Sequence, residues 1–136
     1  MALDDIAASC DVVSLHAPGE HTLIDTAWLA KAKPGMILVN TARANLVDEV
    51  ALVKALTDGT LRTYAADTLS SESDRATSPL LSQSLVDQTI FTPHSAAQTV
   101  EAVDSMSVGV LAAVLAVLRG HTPPNIVKPP STEKVN

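Results

Sequence analysis

Cysteine is almost missing from this chain: Cys10 stands alone, so no internal disulfide can form. The sequence also lacks a charged leader followed by an apolar run and a cleavage site. A reducing, cytoplasmic setting is therefore the expectation. Basic charge is short as well, with 9 Lys and Arg against 15 Asp and Glu and a formal net charge of -6. The basic residues are scattered, which leaves no electrostatic footprint for nucleic acid. The longest apolar run, residues 108–118, is interrupted by Gly109. It falls short of the roughly 20 residues a bilayer-spanning helix needs, and no membrane role is expected. The five glycines, at 19, 35, 59, 109 and 120, exclude any G-x-G-x-x-G or Walker loop. No serine sits in a G-x-S-x-G elbow, which removes the sequence support for a serine hydrolase. His16 and His21 have no Cys or carboxylate at ligand spacing, and no metal site is expected.

What is present is a chain of 136 residues with 46% hydrophobic content, enough for one domain with its own core. Apolar runs of strand length alternate with segments of helical period, the pattern of parallel strands joined by helical crossovers. Residues 12–16 and 36–40 read as strands buried on both faces, the second set off by Pro34 and Gly35. Between them Asp25 is placed to cap a helix running to Lys33, with Trp28 and Leu29 on its apolar face. Asp48 is placed to cap a second helix, with Val50, Val53 and Leu56 at helical spacing and Gly59 as its left-handed stop. Residues 61–67 and 86–92 read as the third and fourth strands, separated by a polar loop over 70–78. From Gln98 to Arg119, Val100, Val103, Met106, Val110, Val114 and Leu118 form one stripe, which predicts a long helix closed by Gly120. The expected fold is thus α/β, a partial Rossmann-type parallel sheet of about four strands with crossover helices and a long C-terminal helix. Residues 1–122 form that domain portion, and 123–136 an irregular, proline-rich tail.

Three polar residues fall at strand ends: Arg43 after the second, Asp67 at the third and His94 after the fourth. In open parallel sheets the crevice at the carboxyl ends of the strands is where ligands bind. Taken singly, an Arg or a His there is more often a surface residue; together they mark a site. Glu72, in the loop after the third strand, adds a carboxylate within possible reach of His94, and by itself would be a solvated charge.

The segments DVVSLHAP, KPGMILVNTARANLVDEVALVKAL, YAADTLSSE and FTPHSAAQTVEA, in this order and spacing, resemble the D-isomer-specific 2-hydroxyacid dehydrogenases over about residues 2–127. The resemblance implies an oxidoreductase that moves hydride between NAD or NADP and a small 2-hydroxy or 2-keto acid. It implies that Arg43 binds the substrate carboxylate, that His94 is the proton donor and acceptor, and that Glu72 orients the imidazole and favours its protonated form. Asp67 resembles the residue at the nicotinamide end of the cofactor. Pro18, Thr41, Ala42, Arg43, His94, Ser95, Ala96 and Ala97 match positions lining the cofactor pocket. Ala44 and Asn45 stand where the family commonly has glycines, Ser73 where a proline often follows the Glu, and the stretch after His16 is shorter than usual.

The resemblance further implies that the pyrophosphate loop and the ribose-binding acid precede the matching segments. The expectation is then a truncated chain with an incomplete cofactor site, inactive when isolated, that forms a homo-oligomer or pairs with a complementing N-terminal half. The rival readings are a non-catalytic fragment with relic catalytic residues and a binding or oligomerisation module.

Overall fold

Four aliphatic and β-branched runs become the four strands of one parallel sheet in the computed structural model, which describes residues 2–19, 21–70 and 78–127. The strands are β1 (Val12–Leu15), β2 (Met36–Asn40), β3 (Leu61–Ala66) and β4 (Thr89–Phe91), adjacent in that order. Helices α1 (Leu3–Ser9), α2 (Thr26–Leu29), α3 (Glu49–Thr57) and α4 (Val100–Leu118) alternate with them. By its contacts the chain divides into two compact units, Met1–Ala96 and Ala97–Asn136.

The register puts the site in place. Leu15 pairs with Asn40, Asn40 with Ala66, and Ala66 with Phe91. Because all four strands run the same way, His16, Thr41, Asp67 and Thr92 leave the sheet in one row at its carboxyl edge. Two further ladder bonds extend the pairing to that row: Asp67 N–H donates to the Asn40 carbonyl at 3.1 Å and Thr92 N–H to the Ala66 carbonyl at 3.0 Å.

The core of the first unit lies under β2 and β3, where Leu38, Leu61 and Tyr64 are fully buried against Leu52 and Leu56 of α3 and Leu46 and Ile24 of the connections. The expected caps are made. Asp25 accepts from Trp28 N–H at 2.8 Å, and Asp48 accepts from Val50 and Ala51 N–H at 2.9 and 3.1 Å. Gly59 takes φ 81° after α3, a left-handed stop that an L side chain rarely adopts.

Several elements differ from the sequence reading. Helix α1 was not expected. Asp5 accepts from Ala2 N–H at its start, and the helix docks through the Trp28 indole, which donates to the Leu3 carbonyl at 3.1 Å. Helix α2 stops at Leu29, because the chain turns so that Lys33 N–H meets the Ala7 carbonyl at 2.8 Å. The buried side of α3 is Ala51, Leu52, Ala55 and Leu56, while Val50 is 73% exposed. A strand was expected over 86–92, but residues 86–88 turn and β4 keeps three residues. Strand β1 is covered on one side only: Leu15 is buried, Val13 half-buried, and Val12 and Ser14 exposed.

In the second unit, α4 is one helix of 19 residues, capped by the Thr99 hydroxyl accepting from Ala102 N–H at 3.1 Å, and none of its residues is buried. Gly109 does not break it. At a mean hydropathy of 1.8 it is long and apolar enough, by length and composition, to cross a membrane, which corrects the shorter run read from the sequence. Its first turns nevertheless carry Glu101 and Asp104, and charged side chains in a bilayer interior cost about 2.5–3.5 kcal/mol each on insertion scales.

Leu38 sits at the centre of β2 with no exposure. Leu38→Ala is expected to lower the unfolding free energy by about 2–5 kcal/mol in urea titration, through lost burial and the cavity left behind. A loss below about 1 kcal/mol would show that the core is not centred there.

Candidate functional site

Backbone groups just past the end of a strand have no ladder partner, and here buried side chains supply one. Asn40, the last residue of β2, is fully buried. Its Oδ1 accepts from Ala42 N–H at 3.1 Å, and its Nδ2 donates to the Arg43 carbonyl at 2.8 Å and toward the Tyr64 hydroxyl at 3.4 Å. The turn 41–43 is thereby fixed from beneath, and Arg43 projects from it exposed, with one guanidinium nitrogen on the Ala42 carbonyl at 2.8 Å. Burial is the main cause that pushes the Tyr64 hydroxyl up to about 12, so it stays a neutral phenol through the working range.

The aliphatic stem of Arg43 lies against Gly19. A Cβ added to Gly19 would come within 2.6 Å of Arg43 Cβ and 2.8 Å of its Cγ. Only glycine allows that approach. Asn45 closes the other side: its amide donates to the Gly19 carbonyl, and its own carbonyl accepts from the Thr22 hydroxyl at 3.1 Å. Residues 16–19 and 41–43 together line an open cleft of about 390 Å³. Pro18, Thr41, Ala42 and Arg43, all expected at a cofactor pocket, meet there, joined by His16.

Asp67 does for the His94 turn what Asn40 does for the Arg43 turn. It is buried at 4% exposure and accepts three hydrogen bonds, from the Thr92 hydroxyl, Ser95 N–H at 3.0 Å and Ala96 N–H at 3.1 Å. The Thr92 hydroxyl is the largest cause holding its carboxyl below the ordinary Asp range. Burial opposes this, while the Ala96 and Ser95 amides and the charge of His94 add to it. Within the turn His94 takes φ 51°, unusual for a side chain with a Cβ, and its N–H meets the Thr92 carbonyl at 2.9 Å. The imidazole is carried at the exposed surface of the first unit.

The described residues thus gather Pro18, Thr41, Ala42 and Arg43 at one turn pair, and Asp67, His94, Ser95 and Ala96 at the neighbouring one. Glu72 lies outside the described residues, and Ala97 opens the second unit. Sequence reasoning missed Asn40, Asn45 and the closeness of Gly19 to Arg43. For Asn40 a signal was available, an amide closing an otherwise apolar strand. The pairing of Asn45 with Gly19 spans 26 positions and left no local trace.

The chain is similar to known proteins in sequence and fold. Residues 1–96 match the profile described as D-isomer specific 2-hydroxyacid dehydrogenase, NAD binding domain. The D-3-phosphoglycerate dehydrogenase of Mycobacterium leprae (strain TN) is 41% identical over 130 residues, covering 93% of this chain and 24% of that protein. The glyoxylate reductase of Thermofilum pendens (strain DSM 2475 / Hrk 5) is 36% identical over 128 residues, covering 92% of this chain and 37% of that one. Among solved structures, D-lactate dehydrogenase with NAD+ from Lactobacillus jensenii superposes with a TM-score of 0.82 at 28% identity, over 95% of this chain and 43% of its own. The chain spans about a quarter of the length of the phosphoglycerate dehydrogenases it matches.

The Asp67 hydrogen bonds give a pH signature. With the folded pKa below the unfolded one, the stability they contribute is complete above the ordinary Asp value of 3.8 and is lost as pH falls through the lowered folded value. The amide proton shifts of Ser95 and Ala96 should therefore titrate together with a midpoint below 3.8, and Asp67→Asn should abolish that titration. A midpoint at or above the ordinary value would contradict the assignment.

Proposed function

Since this chain belongs to the D-isomer specific 2-hydroxyacid dehydrogenase family through its NAD binding domain, we propose that it forms the catalytic, nicotinamide-facing part of a cytoplasmic oxidoreductase that interconverts a 2-hydroxy acid and a 2-keto acid. We place that part in residues 1–122, with 123–136 as an irregular tail. The observation that supports this most is the row of strand ends, where two buried side chains, Asn40 and Asp67, hold the turns that present Arg43 and His94.

The residues fit one end of a dinucleotide. The cleft at 16–19 and 41–43 is open and polar-lined, at the carboxyl edge where such ligands lie. The sequence holds no G-x-G-x-x-G segment for the phosphates. When bound, the nicotinamide supplies or accepts the hydride. The chain's own residues do the rest. Arg43 holds the substrate carboxylate in its planar fork of donors and so aims the carbonyl. His94 gives a proton to the carbonyl oxygen in reduction and takes it from the hydroxyl in oxidation. Glu72, by its sequence position, orients the imidazole. Asp67 serves the nicotinamide end by fixing the backbone of the 92–96 turn.

In protein brought to activity, Arg43→Ala is expected to lose turnover and affinity for the acid together, because the guanidinium touches substrate in the ground state. His94→Ala should lose chiefly turnover. Steady-state kinetics with full turnover in His94→Ala would remove the assignment. For this chain alone, calorimetry should find NADH binding no tighter than about millimolar; a micromolar dissociation constant would show a complete site.

The partner surface is the free edge of β1. Among the described residues it offers donors and acceptors without a sheet partner beside Val12, 56% exposed, and neither Lys nor Pro lies within β1. This favours pairing with a second copy or with a complementing segment. Light scattering should show association at micromolar concentration, reduced by Val12→Lys. A monodisperse monomer of the parent chain would rule that surface out.

A further inference from the structure

A connection that runs past the end of a sheet has no ladder to hold it, and the one after β1 is held by the one after β2. Leu23 and Ile24 N–H both donate to the Leu46 carbonyl, at 2.8 and 3.0 Å, and Asp48 N–H donates to the Ile24 carbonyl at 2.9 Å. The Thr22 hydroxyl donates to the Asn45 carbonyl at 3.1 Å, and the Asn45 amide donates to the Gly19 carbonyl. These rungs close over the fully buried Ile24 and Leu46 and run out to the cleft of residues 16–19 and 41–43. Asn45 makes the last rung, and it stands on a fixed base. It lies in the single 3-10 turn Ala44–Leu46, where Leu46 N–H meets the Arg43 carbonyl and Val47 N–H the Ala44 carbonyl, both at 3.2 Å.

The last rung holds Gly19 against the stem of Arg43. A Cβ at Gly19 would strike Asn45 Oδ1 as well as Arg43 Cβ and Cγ, so amide, glycine and stem are stacked in direct contact. Among the described residues no other hydrogen bond reaches Gly19. Arg43 itself is exposed, and an exposed arginine samples many rotamers unless its stem is packed. We infer that Asn45 is a positioning residue for Arg43: its amide keeps Gly19 packed on Cβ and Cγ, which sets the direction in which the guanidinium meets a carboxylate. This rests on the proposed action of Arg43 on the substrate carboxylate. A fork aimed in advance loses less freedom when it closes on its ligand, so the tie acts on affinity for the acid.

The test follows the Arg43 Nε–H resonance of the full chain, assigned with Arg43→Lys, with the exposed Arg62 as internal reference. In the parent the heteronuclear NOE of Arg43 should exceed that of Arg62. Asn45→Ala and, at neutral pH, Asn45→Asp cannot donate to the Gly19 carbonyl and should lower it to the Arg62 level. Thr22→Ala removes a rung on the other side of Asn45 without touching Gly19, and should leave the Arg43 NOE unchanged. Titrated with pyruvate as a 2-keto acid probe, parent Arg43 should shift, and both Asn45 variants should bind at least about threefold more weakly. If Asn45→Ala fails to fold, as judged by loss of dispersed amide signals, Asn45→Asp, of the same size, carries the test. Parent Arg43 as mobile as Arg62, or Asn45 variants that keep its order or its affinity, would overturn the role of Asn45 and leave the proposed function standing. Order lost equally in Thr22→Ala would mark a general loosening and overturn it too. Pyruvate that leaves parent Arg43 unmoved would overturn the Arg43 reading and this inference with it.

Discussion

Every parallel strand that ends at a ligand crevice leaves backbone donors and acceptors without a ladder, and a buried one left unpaired costs about 1–3 kcal/mol. This chain meets that constraint with side chains rooted in the sheet. Asn40 serves both polarities at once, taking the Ala42 N–H and giving to the Arg43 carbonyl, which an amide can do and a carboxylate cannot. Asp67 faces donors only, one hydroxyl and two amides, and a carboxylate is the matching group. The choice of residue at each strand end follows from what the next turn leaves unpaired.

The two turns are held differently because they carry different loads. Arg43 sits in extended backbone at φ -143°, needing no strain, and its direction is set by packing on Gly19. His94 sits at φ 51°, a conformation that costs on the order of 1–3 kcal/mol for a residue with a Cβ. The Asp67 contacts on either side of His94 hold it there. A displaced Asp67 would let the turn relax and move the imidazole, so a residue that need not touch substrate governs one that is proposed to.

Asn45 ties two segments that are distant in sequence. Its side-chain amide reaches across to the Gly19 carbonyl. The connection after β1 is tied to the Arg43 turn by that bond and by Thr22. Glu49 makes a comparable tie on the other side of the same turn, toward Ser70 and Ser78. Arg43 is thus bracketed by two cross-links between segments far apart in sequence.

By itself the sequence determined most of the elements, though neither helix α1 nor the short extents of α2 and β4, and the identity of the exposed chemistry. Strand runs such as MILVN, the Asp25 and Asp48 caps and the Gly59 stop act over a few residues, so their physics is local and readable. The positions of Arg43, Asp67 and His94 at strand ends were legible for the same reason. Tertiary structure decided what those residues lean on. The side of α3 that is buried, Leu52 and Ala55 in place of Val50, depends on where β3 lies. Which face of β1 is covered, that of Val13 and Leu15 in place of that of Val12 and Ser14, depends on what packs against the sheet. The bonds from Asn40 to Tyr64, from Asp67 to Ser95 and Ala96, and from Glu49 to Ser78 join residues 24 to 29 positions apart. No periodicity or spacing rule encodes such pairs. They exist only once the sheet's register has brought the strand ends level, and that register is a property of the folded chain.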